Sequence, residues 1–413
     1  QPPDGNHLEE SGGDGGMILS DVCEFIVDCP HSTAPDEGKG YPLIRTPNVG
    51  KGRLDLNGVH RVSESVYKQR IQRGAPRAND LIFAREAPAG NVALVQENQT
   101  VCLGQRTVLI RPNVQKVNPQ YLVYYLLSPK PQYELLGTAN GATVAHVNLP
   151  AIRNLKIELP EKSVQDKIGT ILVTYDDLIE NNQKQIKLLE EAAQRFYKEW
   201  FVDLRFPGHE NTKIVDGVPE GWQYEKLGDL VKTTSGGTPS RRKSEYYVNG
   251  NIRWIKTKEL NDRFIFETEE HITEDAVKNS SAKVLPEGAL IVAMYGATIG
   301  KIGITAAEMA CNQACCAFIS FDDMISKEYL YCWLMDNREY LVSQGKGAAQ
   351  SNLSQEMIRN FSLLCPDKKV IKNFTEIVTT MLENKRVLEN KILMLSKARD
   401  DLLPKLMSGE VEV

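Results

Sequence analysis

Apolar residues recur at alternating steps of four and three at Val164, Ile168, Ile171, Tyr175 and Leu178, and resume after Asn182 at Ile186, Leu189, Ala193, Phe196 and Trp200. That spacing predicts a long helix with a coiled-coil seam. Ser163 with Asp166 reads as a capping-box start and Pro207 with Gly208 as a stop, while Gly169 is the one weak helix former between them. The rhythm returns at Phe374, Val378, Met381, Leu388, Ile392, Leu395, Leu402 and Leu406, interrupted by Lys385 and Arg399. A helix of about 40 residues spans about 60 Å, too long for the single core helix of an ordinary domain. The two helices are therefore expected to pair with each other. The plainer alternative is two unrelated amphipathic helices, each packed on its own domain.

Before each long helix lies a stretch of short strands and helices, and the second copies the first at an offset of roughly 208 residues. Leu19-Ser20-Asp21-Val22 answers Leu227-Gly228-Asp229-Leu230, Pro42 to Thr46 answers Arg253 to Thr257, and Asp80 to Ala84 answers Gly288 to Val292. Cys102 lands on Cys311, Tyr121-Leu122 on Tyr329-Leu330, and Leu149 to Pro160 on Leu353 to Pro366. A domain followed by a long helix, twice over, is the organisation this repeat implies. The boundaries read as a disordered tail or cloning remnant at 1–16, a first mixed domain at 17–160, a central helix at 161–205, a second mixed domain at 206–366 and a C-terminal helix at 367–413.

Composition changes the picture little. The 41% hydrophobic and 25% charged residues are those of an ordinary globular protein, and no apolar run approaches 18 residues, so neither membrane insertion nor a secretory signal is expected. The eight cysteines form no C-x-x-C pair and read as reduced core thiols, which fits a cytoplasmic protein. The net charge of -5 hides a local excess: residues 17–160 hold 16 Lys and Arg against 12 Asp and Glu, many of the bases between Lys51 and Arg85. Phosphate contact needs such a face; a solvated surface is the alternative.

Motifs for catalysis fail on inspection. Gly296-Ala297-Thr298-Ile299-Gly300-Lys301 has its glycines one residue too close for a phosphate loop, and Ile302 stands where Ser or Thr must hold magnesium. It reads instead as a tight turn shared with Ala87-Pro88-Ala89-Gly90. Asn118-Pro119-Gln120-Tyr121 approaches a base-flipping methyltransferase signature but has the wrong third residue; Asn118 reads as a helix cap and Tyr121 as core. The histidines show no metal or nucleophile pairing.

Two mixed domains each followed by a seam-bearing helix, with Pro219-Glu220-Gly221-Trp222 and Leu227-Gly228-Asp229 opening the second and Gly296 to Lys301 inside it, resemble the specificity subunit of type I restriction-modification systems. The resemblance implies an α+β fold of two target-recognition domains in a tandem repeat, with the long helices pairing as an antiparallel coiled coil. Each domain would read half of a bipartite, asymmetric site on double-stranded DNA, while the helices set the spacing and dock two methyltransferase subunits. No cofactor would bind this chain: S-adenosylmethionine belongs to the methyltransferase partners, and ATP with Mg to a restriction subunit where one is present. Candidate DNA contacts are Lys51, Arg53, Arg73, Arg77 and Arg85 in the first domain. In the second they are Arg241, Arg242, Lys243, Lys256, Lys301 and Lys346, with Gln350 and Asn352 as base readers. A coiled-coil scaffold with protein-binding domains and a self-contained DNA methyltransferase are the competing readings.

Overall fold

The computed structural model describes residues 16–137, 146–345 and 352–413. All of the 1–16 tail but Gly16 lies outside them, as do Lys346 and Gln350. The chain divides into two compact units, Gln1–Ile179 with Met394–Val413, and Glu180–Leu393. This division cuts through both long helices, so each mixed domain owns a segment of each.

In the first unit a 3-10 turn at Leu19–Val22 leads into β1 (Cys23–Asp28), β2 (Tyr41–Ile44), β3 (Gly52–Arg53), β4 (Arg61–Val62), α1 (Glu64–Arg70), β5 (Leu81–Ala84), β6 (Val92–Leu94), β7 (Cys102–Leu103) and β8 (Thr107–Pro112). Then follow α2 (Pro119–Leu127), α3 (Pro129–Gly137), α4 (Leu149–Arg153) and the long α5 (Lys162–Tyr197). The larger sheet runs β1-β8-β5-β6-β3, antiparallel except for the last pair, and the smaller runs β4-β2-β7. The strands β5 and β6 are buried on both faces, which is why they read as continuous apolar runs rather than as an alternation.

The second unit repeats this plan. After a hairpin of β9 (Ile214–Val215) and β10 (Val218–Pro219) come β11 (Gln223–Lys226), α6 (Leu227–Leu230), β12 (Val231–Ser235), β13 (Ile252–Ile255), β14 (Arg263–Ile265) and β15 (His271–Ile272). The chain continues through α7 (Glu274–Lys278), β16 (Val284–Leu285), β17 (Leu290–Ala293), β18 (Ile302–Thr305), β19 (Met309–Cys311) and β20 (Cys315–Phe321). It closes with α8 (Lys327–Asp336), α9 (Arg338–Gln344), α10 (Gln355–Arg359), β21 (Ser362–Cys365) and α11 (Lys368–Ser408). The sheet order β12-β20-β17-β18-β14 reproduces that of the first domain strand for strand, down to the parallel final pair. The second sheet, β15-β13-β19-β16, is the smaller sheet of the first domain with one strand added. The repeat read from the sequence thus lands on equivalent strands: Cys102 lies in β7, Cys311 in β19.

The loops compared across the repeat are equivalent turns. Gly90 (φ 89°) and Gly300 (φ 76°) each donate an amide at 2.9 Å to the last residue of the preceding strand, Ala84 or Ala293. Each glycine carbonyl is then taken by the following helical segment, from Gln132 Nε2 at 2.8 Å or Arg338 Nε at 3.0 Å. Asn118 caps α2 by accepting from the Gln120 and Tyr121 amides, and Tyr121 is core.

The long helices depart from the predicted pattern in detail. No capping box forms at Ser163: α5 begins at Lys162, the Glu161 carbonyl accepts the Val164 and Gln165 amides at 3.0 Å, and the Asp166 carboxylate takes Asn118 Nδ2 at 2.7 Å. In the first unit the buried stripe of α5 is Gln165, Ile168, Leu172 and Asp176, while Leu178 is exposed. Polar side chains with hydrogen-bond partners can join a buried face, and an apolar count is blind to them. In the second unit Ala193 of α5, with Trp200 and Phe201 of the π-helical turn Lys198–Val202 that continues it, shares a core with Phe374, Val378 and Leu382 of α11. There the helices run antiparallel, with Trp200 against Phe374 (5.9 Å between ring centroids) and Glu190 against Lys385.

Candidate nucleic-acid interface

In the second domain the loop after β12 is held down by its neighbours. Gly236 and Gly237 pass so close to β19 that a Cβ on Gly236 would fall 1.8 Å from the Cys311 carbonyl oxygen. Only glycine tolerates that approach. Trp254 Nε1 donates to the Gly237 carbonyl at 3.1 Å and Tyr247 Oη to the Pro239 carbonyl at 2.6 Å. Arg241 lies over the rings of Tyr247 (4.3 Å) and Trp254 (5.2 Å) and pairs with Glu270 at 2.6 Å. Lys256 reaches the same carboxylate at 2.5 Å and Glu269 at 3.3 Å. Burial opposes ionisation of Glu270, but Lys256 and Arg241 outweigh it and hold the carboxyl below its ordinary range. The charges of Arg241 and Lys256 are thus largely balanced within the domain.

Arg242 is exposed and has no hydrogen-bond or ionic partner among the described residues. Among the described residues the Lys243 ammonium bonds the Tyr246 hydroxyl, at 2.9 Å, and that of Lys283 bonds Thr234 Oγ1, at 3.2 Å. Lys301 pairs with Asp262 at 2.7 Å, a carboxylate that Arg338 also grips. Asn352 is exposed, and its amide donates to the Gly345 carbonyl at 3.2 Å.

The first domain shows the same split. Arg85 is nearly buried, bonding Asp28 at 2.8 Å, the Val147 carbonyl at 2.8 Å and His146 at 2.7 Å. Arg53 pairs with Asp177 of α5, and Arg77 with Glu24 at 3.1 Å. Arg73 bonds the backbone carbonyls of Cys29 at 3.2 Å and Asp28 at 3.5 Å, and no carboxylate among the described residues. Lys51 is exposed and without an ionic partner among the described residues. The structure therefore separates the candidates into cations paired with an acid (Arg53, Arg77, Arg85, Arg241, Lys256, Lys301) and cations without an ion pair among the described residues (Lys51, Arg73, Arg242, Lys243).

Sequence reasoning passed over Arg45. It precedes the 3-10 turn Thr46–Asn48 as Lys256 precedes Thr257–Glu259, and it forms no ion pair among the described residues, although Asp36 lies within reach of its charge. The pairing of Pro42 to Thr46 with Arg253 to Thr257 already marked it. Among the described residues no group of three or more His, Cys, Asp or Glu is arranged to hold a metal ion. No described helix is long and apolar enough to cross a membrane.

The α+β domain is thus duplicated, and each copy carries cations without an ion pair among the described residues. Residues 17–191 and 219–394 each match the model of the type I restriction modification DNA specificity domain, and the chain belongs to that family. It is 28% identical over 363 residues to the type I restriction enzyme MjaIX specificity subunit of Methanocaldococcus jannaschii, covering 86% of this chain and 83% of that one. With the HindI specificity subunit of Haemophilus influenzae it shares 25% over 406 residues, covering 82% and 87%. In fold it is similar to the type I restriction-modification S subunit of M. genitalium, with a TM-score of 0.58 at 14% identity over 97% of each chain.

Proposed function

We propose that this chain is the DNA-reading subunit of a cytoplasmic type I restriction-modification complex. Each domain reads one half of a bipartite target, and the chain brings two methyltransferase subunits to it, with restriction subunits where the system has them. It performs no chemistry itself: S-adenosylmethionine is bound by the methyltransferase partners, and ATP with Mg by a restriction subunit. The observation that carries the reading is the duplication, with the order of the larger sheet identical between two domains whose loop side chains differ. Two like frames with unlike surfaces suit two unlike half-sites on one duplex. Contacts to phosphate are assigned to Lys51, Arg73, Arg45, Arg242 and Lys243, none of which forms an ion pair with an acid among the described residues. Mapping methylated bases in cells that express the subunit with its partners tests it: a two-part motif with a fixed unspecified spacer is expected. A single continuous motif, or methylation by the purified chain alone, would overturn the reading.

A further inference from the structure

Each domain is fastened to its helix segments by a buried ionic cluster, and the two clusters are assembled from the same parts. In the first unit Asp176 of α5 accepts from Tyr124 Oη of α2 at 2.6 Å and pairs with Arg399 of α11. Beside it Asp177 pairs with Arg53 of β3, the edge strand of the larger sheet. Gly52 of the same strand (φ 90°) comes so close that a Cβ there would lie 2.5 Å from the Asp176 carboxylate. In the second unit Lys385 of α11, 1% exposed, pairs with Glu190 of α5 at 2.7 Å and donates to Tyr331 Oη of α8 at 3.1 Å. It also donates at 2.6 Å to the carbonyl of Asp262, the residue before the edge strand β14, while Glu389 accepts the Phe264 amide of β14 at 2.8 Å.

Acid on α5, base on α11, a tyrosine hydroxyl from the helix that follows the sheet, and the edge strand thus recur in both. Lys385 and Arg399 are also the residues that interrupt the apolar seam. They stand 14 positions apart along α11, and Asp176 and Glu190 stand 14 positions apart along α5. A slip of one heptad either way would bring Arg399 to Gly169 or Gln183, and Lys385 to Gln183 or Tyr197, none of them acidic. A buried ion pair adds little net stability, because desolvation offsets the attraction, yet stranding one partner costs about 3–5 kcal/mol. Buried polar pairs of this kind specify register.

We propose that the two clusters are the register keys of the long helices, and that their residues are positioning residues: they fix each reading domain on its own helix segment and so set selectivity for the spacer between half-sites. The proposal rests on the function given above. The test uses the full complex and a DNA library in which the native half-sites are separated by the native spacer or by one base pair fewer or more. Glu190→Leu, Lys385→Met and Glu389→Gln together remove the second key without leaving a buried unpaired charge. Both half-site sequences should persist, while discrimination against altered spacers falls about tenfold, the worth of one charge-assisted hydrogen bond. Ile291→Val, a core change in the same domain, should lower stability and leave spacer choice alone, and Arg399→Lys should retain it. A folded, assembled triple variant with unaltered spacer discrimination, or one with altered half-sites, overturns the proposal. If the triple variant does not assemble, Tyr331→Phe replaces it: a measurable loosening is expected and full discrimination refutes. A wild-type complex that shows no two-part site defeats the functional reading itself, a distinct outcome visible before any variant is made.

Discussion

Gly169 and Glu389 show how far single residues on the long helices answer to what packs on them. A Cβ at Gly169 would lie 2.9 Å from the Tyr121 amide nitrogen, backbone that cannot give way cheaply. Gly169→Val should therefore destabilise the first unit by about 2 kcal/mol, the usual cost of overpacking, although glycine is the poorer helix former. Thermal denaturation followed by circular dichroism checks the sign. At Glu389 burial pushes the carboxyl up to about 7, against the pull of Lys385 and Arg263 and with Glu190 adding to the rise. The folded chain then keeps a proton that the unfolded chain, with an ordinary carboxylate near 4.5, has released. This contribution to stability is complete below about pH 4.5 and lost as pH rises through about 7, on the order of 3 kcal/mol. Glu389→Gln should flatten that decline, as read from denaturant midpoints at pH 5 and pH 8.

Among the elements, the loop carrying Arg241, Arg242 and Lys243 was legible as basic but not as divided. Arg241 stacks on Trp254 and pairs with Glu270, so it serves the loop, whereas Arg242 and Lys243 keep their charge. Replacing Arg242 and Lys243 with alanine should weaken DNA binding across sequences and reduce the slope of log K against log salt by about one per lost phosphate contact. Arg241→Ala should leave the slope nearly unchanged and instead loosen the loop, seen as faster amide exchange at Tyr247. A double variant with the wild-type slope would mean that this surface meets only solvent. Charge run and composition cannot make this distinction, because the neutralising acid Glu270 lies 29 positions away in the chain and reaches the loop only through pairing of β13 with β15.

At the scale of the whole molecule the register keys restrict how the helices could be lengthened. Adding one heptad to α5 near Asn182 and one to α11 between Leu388 and Leu395 keeps each base opposite its acid and extends both helices by about 10 Å. At about 3.4 Å per base-pair step, the preferred spacer should grow by about three base pairs with both half-sites retained. The same heptad in α5 alone should cost assembly or spacer selectivity. Selection from a random-spacer library decides between these outcomes.

The amino-acid sequence by itself determined the duplication, the two long helices and the strands that answer one another across roughly 208 positions, because these depend on local periodicity and chain order. It marked Lys385 and Arg399 as interruptions of an apolar seam without saying what they interrupt it for. Tertiary structure decided the rest. It paired them with Glu190 and Asp176, turned Arg53 and Arg85 inward and left Lys51, Arg73, Arg242 and Lys243 unbalanced. The physical reason is that a charge is spent or unspent according to the groups within a few ångströms of it, and in these domains those groups come from strands and helices distant in the chain.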